Sequence, residues 1–209
     1  MLVDLPSPAS SRLGLSRRDS VWLFGYGSLI YKTGFNWLER RPAHVRGWAR
    51  RFWQGSPDHR GTPERPGRVA TLVPEAGTRC LGMAYRVSPR TFRQLDERER
   101  GYLRLTLPLH LDDGRREQAL VYIATADNRA WLGDGPEAEL ARDIAVCAGA
   151  SGPNSEYLLK LADALLALGA EDAHVFGLER RVRRLLGGAR FRAAAPVAWG
   201  PYPALACAG

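Results

Sequence analysis

The sequence predicts an α+β fold. Strand-type segments fill the first part of the chain, helix-type segments fill most of the rest, and the two do not alternate as βαβ units would. About six strand patterns lie between Val21 and Ala124, and strand content of this kind without regular crossovers favours a mixed, curled sheet over a doubly wound one. A chain of 209 residues is long enough for one substantial core and carries no Pro/Ser-rich internal linker. One domain is therefore expected over 21–186, with a flexible N-terminal segment at 1–20 and a Gly/Ala/Pro-rich tail at 187–209.

The strand patterns fall at Val21–Tyr26, Ala43–Gln54, Arg68–Val73, Cys80–Arg86, Leu103–Leu109 and Gln118–Ala124, divided by Gly/Pro turns. Ser88-Pro89 supplies an N-cap and a first-turn proline for a helix running toward Glu97, so Glu99 falls near its end, just before Gly101. Further helices are expected at Pro136–Cys147, Asn154–Leu168 and Asp172–Leu186. In the second of these, Tyr157, Leu158, Leu161, Leu165 and Leu168 keep an apolar stripe. The tail lacks periodicity, although Val197, Trp199 and Tyr202 are suited to docking on a body.

Composition excludes several classes. The first 20 residues lack the continuous apolar stretch of a signal peptide, and no run approaches membrane-spanning length, so a soluble, cytoplasmic chain without a membrane partner is expected. Cys80, Cys147 and Cys207 form neither a CxxC pair nor an even set, and His44, His59, His110 and His174 show no metal-ligand spacing. No disulfide framework, metal or cofactor is expected. The net charge of +8 raises the question of nucleic acid, but Lys32 and Lys160 are the only lysines and the arginines are dispersed. Where they cluster, at Arg180, Arg181, Arg183 and Arg184, they interleave with Leu178, Val182, Leu185 and Leu186 as on the solvated face of an amphipathic helix. No nucleic-acid partner is expected, although a basic surface suits an anionic small substrate. Nothing in the sequence sets the number of subunits.

The most informative segment is Trp22–Ile30, in which an apolar run ends in Gly25-Tyr26-Gly27-Ser28 before Leu29 and Ile30. Glycines there let backbone N–H groups turn toward a ligand, or serve a tight turn and nothing more. Neither dinucleotide nor P-loop glycine spacing is present. Ser28 lacks a Gly-x-Ser-x-Gly elbow, which argues against a serine nucleophile. In Arg50-Arg51-Phe52-Trp53-Gln54, Arg51 and Trp53 share one strand face and Phe52 and Gln54 the other; Arg51 and Gln54 serve either packing or a pocket rim. Asp96, Glu97 and Glu99 are, on charge pattern alone, equivalent carboxylates near a helix end.

Set beside Trp22–Ile30, the segments Arg50–Ser56, Asp58-His59-Arg60-Gly61, Pro66-Gly-Arg-Val69, Leu95–Tyr102, Trp131-Leu-Gly133 and Asn154-Ser-Glu-Tyr-Leu158 closely resemble the ChaC family of glutathione-specific γ-glutamylcyclotransferases, from about Val21 to about Leu186. The resemblance implies a small mixed β-barrel with surrounding helices, the γ-glutamylcyclotransferase-like fold. It implies cleavage of glutathione to 5-oxoproline and cysteinylglycine, with Glu99 as the catalytic base of the Asp-x-Arg-Glu motif. It also implies a γ-glutamyl cradle at Gly25–Ile30 and a pocket hydroxyl from Tyr157. For His59 it marks a family loop, without choosing between loop architecture and substrate recognition. Two positions depart from the family pattern: Arg100 stands where relatives usually carry a glycine, and Pro153 where they often carry an arginine.

Residue chemistry is compatible with that reaction. Cyclising a γ-glutamyl group uses the substrate's own α-amine as nucleophile, so one carboxylate acting as base and then acid suffices, with fixed donors for the developing charge. The alternatives left open are a cyclotransferase for another γ-glutamyl amine or dipeptide, and a non-enzymatic regulatory module.

Overall fold

A computed structural model describes residues 20–99 and 101–187; the N-terminal segment up to residue 19, Arg100 and the tail from residue 188, Cys207 included, lie outside the described residues. Strands β1 (Val21–Gly25), β2 (Glu39–Ser56), β3 (Gly67–Val87), β4 (Leu103–Leu111) and β5 (Arg116–Ile123) close a barrel in the order β1-β3-β2-β4-β5. All neighbours are antiparallel except β1 and β5, whose parallel pairing of Trp22 with Ala119 and Leu23 with Leu120 seals the seam. The mixed curled sheet is thus a closed one, as the resemblance implied. Leu23, Val45, Tyr85, Leu109 and Val121 are fully buried in its core.

One expectation is corrected. The two strands placed at Arg68–Val73 and Cys80–Arg86 are a single β3, because β2 pairs with it on both sides of the expected turn, Trp48 with Pro74 and Arg46 with Arg79. The turn survives as a bulge. Gly47 and Gly77, at φ +76° and +79°, supply the left-handed backbone there, and Thr78 Oγ1 donates to the Glu75 carbonyl at 2.6 Å.

Helix α1 (Pro89–Arg98) starts as the sequence predicts, Ser88 accepting from the Thr91 N–H, and ends with Glu99 as its C-cap. Helices α2 (Glu137–Val146), α3 (Asn154–Ala167) and α4 (Ala173–Leu185) follow the barrel and bury Leu140, Ile144, Leu158, Leu161, Leu165, Val175, Leu178 and Val182 in the common core. On the outer face of α4, Arg181 pairs with Glu137 and Arg183 with Glu179, as a solvated helix face would. A two-residue ribbon, β6 (Ala148–Gly149) with β7 (Gly152–Pro153), joins α2 to α3. Among the described residues no helix is long and apolar enough to cross a membrane.

Candidate active site

The site forms where β1 leaves the barrel. Gly25 must be glycine because a Cβ there would stand 2.6 Å from the Leu29 Cβ, and the chain then winds into a 3-10 turn, Ser28–Ile30. Ile30 N–H bonds back to the Gly27 carbonyl at 3.0 Å and Tyr31 N–H to that of Ser28 at 3.1 Å. The N–H groups of Ser28 and Leu29 open the turn and have no acceptor inside it, the usual condition of a helical N-terminus. Fully buried Arg50 on β2 holds the turn from below: its Nε donates to the Tyr26 carbonyl at 2.6 Å, while its two terminal nitrogens bind Asp172 and the Leu81 carbonyl. Asp172 also caps α4 by accepting from Val175 N–H.

Helix α3 brings the facing wall. The edge of β3 at Arg68–Ala70 has no strand beside it other than β2, and α3 covers it with side chains. Asn154, fully buried, accepts from Arg68 N–H at 2.6 Å and donates to the Arg68 carbonyl at 2.7 Å. One turn later the Tyr157 hydroxyl accepts from Ala70 N–H at 3.2 Å. The Tyr157 ring meets Tyr31 and Phe52 edge-on, with centroids 6.4 and 5.8 Å away. Arg60 lies over that ring at 5.8 Å, its Nη1 donating to the Pro153 carbonyl at 2.9 Å and to Glu156 at 3.3 Å. Loop and ribbon are laced together, Ala150 and Ser151 N–H groups donating to the Asp58 and His59 carbonyls.

Tertiary placement separates the three carboxylates that charge pattern left equivalent. Asp96 is committed to Arg104 and to the Tyr122 hydroxyl, at 2.9 and 3.2 Å. Glu97 is exposed. Glu99 is half-buried, and its negative charge adds to the upward pKa shift of Tyr26, Tyr102, Tyr122 and Tyr157. In each case burial is the larger cause. The phenols therefore stay protonated at neutral pH. A half-buried carboxylate with neutral phenols in its neighbourhood is suited to taking up and returning one proton.

The structure gathers Gly25, Tyr26, Gly27, Ser28, Leu29, Ile30, Tyr157 and Glu99 at this end. Arg51 and Gln54 are each committed to protein partners. Arg51 pairs with Glu75 and donates to the Arg50 carbonyl at 2.9 Å. Gln54 is 3% exposed, its amide nitrogen donating to Asn128 Oδ1 and to the Gly55 carbonyl, each at 3.0 Å. His59 is exposed beside Ser151, Nδ1 to Oγ 3.1 Å. Sequence reasoning missed Arg60, Tyr31 and Tyr102. Arg60 stood inside a motif already singled out, but its partners lie 93 and 96 residues away, a separation that no local pattern reports. A surface depression of about 370 Å³ lined by Pro108, His110, Arg116 and Gln118 lies at the far end of the β4–β5 pair and takes no part. Among the described residues no three His, Cys, Asp or Glu side chains converge as a metal centre requires.

A family model described as ChaC-like protein matches residues 21–185. The chain is 41% identical to γ-glutamylcyclotransferase 2-3 of Arabidopsis thaliana, covering 80% of this chain and 90% of that one. It is 39% identical to glutathione-specific γ-glutamylcyclotransferase 1 of Danio rerio, covering 78% and 88%. It superposes on the crystal structure of the yeast γ-glutamyl cyclotransferase specific to glutathione with a TM-score of 0.73 and 33% identity, covering 79% of this chain and 96% of that one. With a domain match that runs from the start of β1 to the end of α4, the chain belongs to the ChaC-like family.

Proposed function

We propose that the protein cleaves glutathione by cyclising its γ-glutamyl group, releasing 5-oxoproline and cysteinylglycine. What supports this reading is the meeting of the Gly27 turn with the Tyr157 hydroxyl, and a Glu99 carboxylate near enough for its charge to act on that phenol. Glu99 takes a proton from the substrate's α-amine, whose nitrogen then attacks the γ-carbonyl carbon and closes the five-membered ring. The oxyanion that forms meets the N–H groups of Ser28 and Leu29, held ready by the turn. As the intermediate collapses, the bond to the cysteinyl nitrogen breaks and Glu99 returns its proton to the leaving amine. No covalent enzyme intermediate and no cofactor is needed, because the nucleophile belongs to the substrate.

Arg60 supplies a cation on the Tyr157 ring for one of the tripeptide's carboxylates, replacing the charge that Pro153 does not offer. The free, buried thiols of Cys80 and Cys147 suit the reducing cytoplasm, where glutathione is abundant. The reading invokes neither nucleic acid nor membrane.

The test is incubation of purified protein with glutathione, scoring 5-oxoproline and cysteinylglycine by mass spectrometry, with γ-glutamylalanine and γ-glutamyl-lysine in parallel. Glutathione is expected to be consumed with both products appearing in equal amounts. Turnover confined to the other two compounds moves the enzyme to another γ-glutamyl substrate, and no turnover of any removes the enzymatic reading.

A further inference from the structure

Glu99 is the C-cap of α1, and the chain turns sharply away from it. Tyr102 N–H donates to the Glu99 carbonyl at 3.1 Å, and Gly101 sits at φ +94° between them. Such a turn, with an exposed glycine at its bend, does not by itself hold a side chain to the tolerance that proton transfer needs. The backbone of the turn therefore needs a hold of its own, besides the contacts that Glu99 itself makes.

The anchor is an amide strut from the barrel. Asn128, in the loop after β5, donates from Nδ2 to the Gly101 carbonyl at 2.8 Å. Its Oδ1 accepts from the Ala130 N–H at 2.9 Å and from Gln54 Nε2 at 3.0 Å. A backbone N–H can only donate, so the oxygen of Asn128 must face Ala130 and its nitrogen must face Gly101. The orientation is set by partners. Gln54 is buried on β2, and the loop is sewn to the same strand by Gly55 N–H to the Ala130 carbonyl at 2.7 Å and by Leu132 N–H to the Trp53 carbonyl at 2.9 Å. A rigid barrel strand, two amides and one carbonyl thus lead to a position two residues from Glu99.

We propose that Asn128, backed by Gln54, is a positioning residue that fixes the turn carrying Glu99 and so sets the aim of the catalytic carboxylate. This rests on Glu99 being the base. Neither amide touches substrate in this scheme; Gln54, for which the sequence left packing and a pocket rim open, works through Asn128 instead. The groups that bind substrate, on the Gly27 turn, Tyr157 and Arg60, belong to other elements and do not depend on the strut.

Asn128→Asp tests it sharply. The variant is isosteric and keeps an oxygen for Ala130 and Gln54, but sets an acceptor against the Gly101 carbonyl where a donor stood. The expected result is a kcat lower by roughly 10- to 100-fold, in keeping with a displacement of about an ångström, with KM for glutathione changed less than about threefold. Asn128→Ala should show the same split more mildly, since it removes the bond without adding repulsion. Melting temperatures and Glu99→Gln are measured beside them. An unchanged kcat in both Asn128 variants while Glu99→Gln is inactive overturns the positioning role and leaves the base in place. A rise in KM matching the fall in kcat, together with early melting, overturns it in favour of a general structural role. An active Glu99→Gln would remove the base itself and the strut's function with it.

Discussion

A Cβ on Gly27 would stand 2.8 Å from the hydroxyl of Tyr157, so the backbone of the turn after β1 and the side chain of α3 meet at a point where only glycine fits. The Tyr157 ring cannot retreat: it is buried, its hydroxyl is held by Ala70 N–H, and Asn154 locks the start of its helix to β3. Gly27→Val is therefore expected to abolish glutathione turnover at every substrate concentration reached. Ser28→Ala, which leaves the backbone donors in place, is expected to reduce kcat/KM only about tenfold, the loss of one neutral hydrogen bond. Steady-state kinetics decide; trapping of an acyl group on Ser28 would contradict the assignment.

Glu99→Gln is expected to lower kcat by about 10²–10⁴-fold with folding intact, because the amide is nearly isosteric and cannot accept the amine proton. Glu97→Gln, on the exposed side of α1, is expected to be near normal. Single-turnover assays on folded variants check both, and near-normal turnover by Glu99→Gln would reassign the base. Activity is expected to persist in a chelator, since the scheme uses only an amine, one carboxylate and fixed donors.

Arg60 makes specificity testable. If it reads a carboxylate present only on the tripeptide, glutathione should exceed γ-glutamylcysteine in kcat/KM by roughly ten- to a hundredfold, the value of about 1.5–3 kcal/mol for a hydrogen bond to a charged group. Arg60→Gln should erase most of that ratio by raising KM for glutathione. Equal kcat/KM for the two substrates in the unmodified protein would remove this role.

Acid stability follows from His174. Its Nε2 lies 3.1 Å from the Phe52 N–H, and since that group can only donate, Nε2 must be unprotonated in the folded protein. Burial, then the nearby Arg51 charge, holds its pKa below the ordinary histidine value. The unfolded chain therefore binds more protons than the folded one once pH falls below about 6.5, and folding stability is lost progressively in that direction. His44 adds to the trend, its pKa pushed down to about 4 by partial burial, by His110 stacked against it and by Arg79 and Arg46. The melting temperature is expected to fall between about pH 7.5 and pH 5, and less steeply in His174→Gln, whose side-chain oxygen can keep the Phe52 bond without titrating. Parallel slopes for the two proteins would assign the acid sensitivity elsewhere.

Much of the fold lay open in short-range pattern. Ser88-Pro89 caps a helix by itself, Asn154 to Leu168 carries its apolar stripe by itself, and strand-type runs at β1, β4 and β5 need no distant partner to be recognised. The division of β3 failed because Pro74–Gly77 reads locally as a turn, whereas pairing with β2 on either side keeps it in the sheet as a bulge. The resemblance of several motifs added the barrel and singled out Glu99, which the alternation of charges around it did not.

By itself, then, the sequence determined the elements, the glycine turn after β1 and the set of eligible carboxylates, because each is written in residues a few positions apart. Tertiary structure alone decided that Asp96 is tied to Arg104 while Glu99 stays half-buried near the phenols, that Arg50 is a buried brace under Tyr26, that Arg60 lies over the Tyr157 ring and that Asn128 holds the Gly101 carbonyl. The places of Arg50, Arg60 and Asn128 rest on contacts between residues separated by 24 to 122 positions, such as Arg50 with Tyr26 and with Asp172. Closing a barrel brings such residues together through backbone pairing and apolar burial, and neither carries a signal at the position of the side chain it delivers.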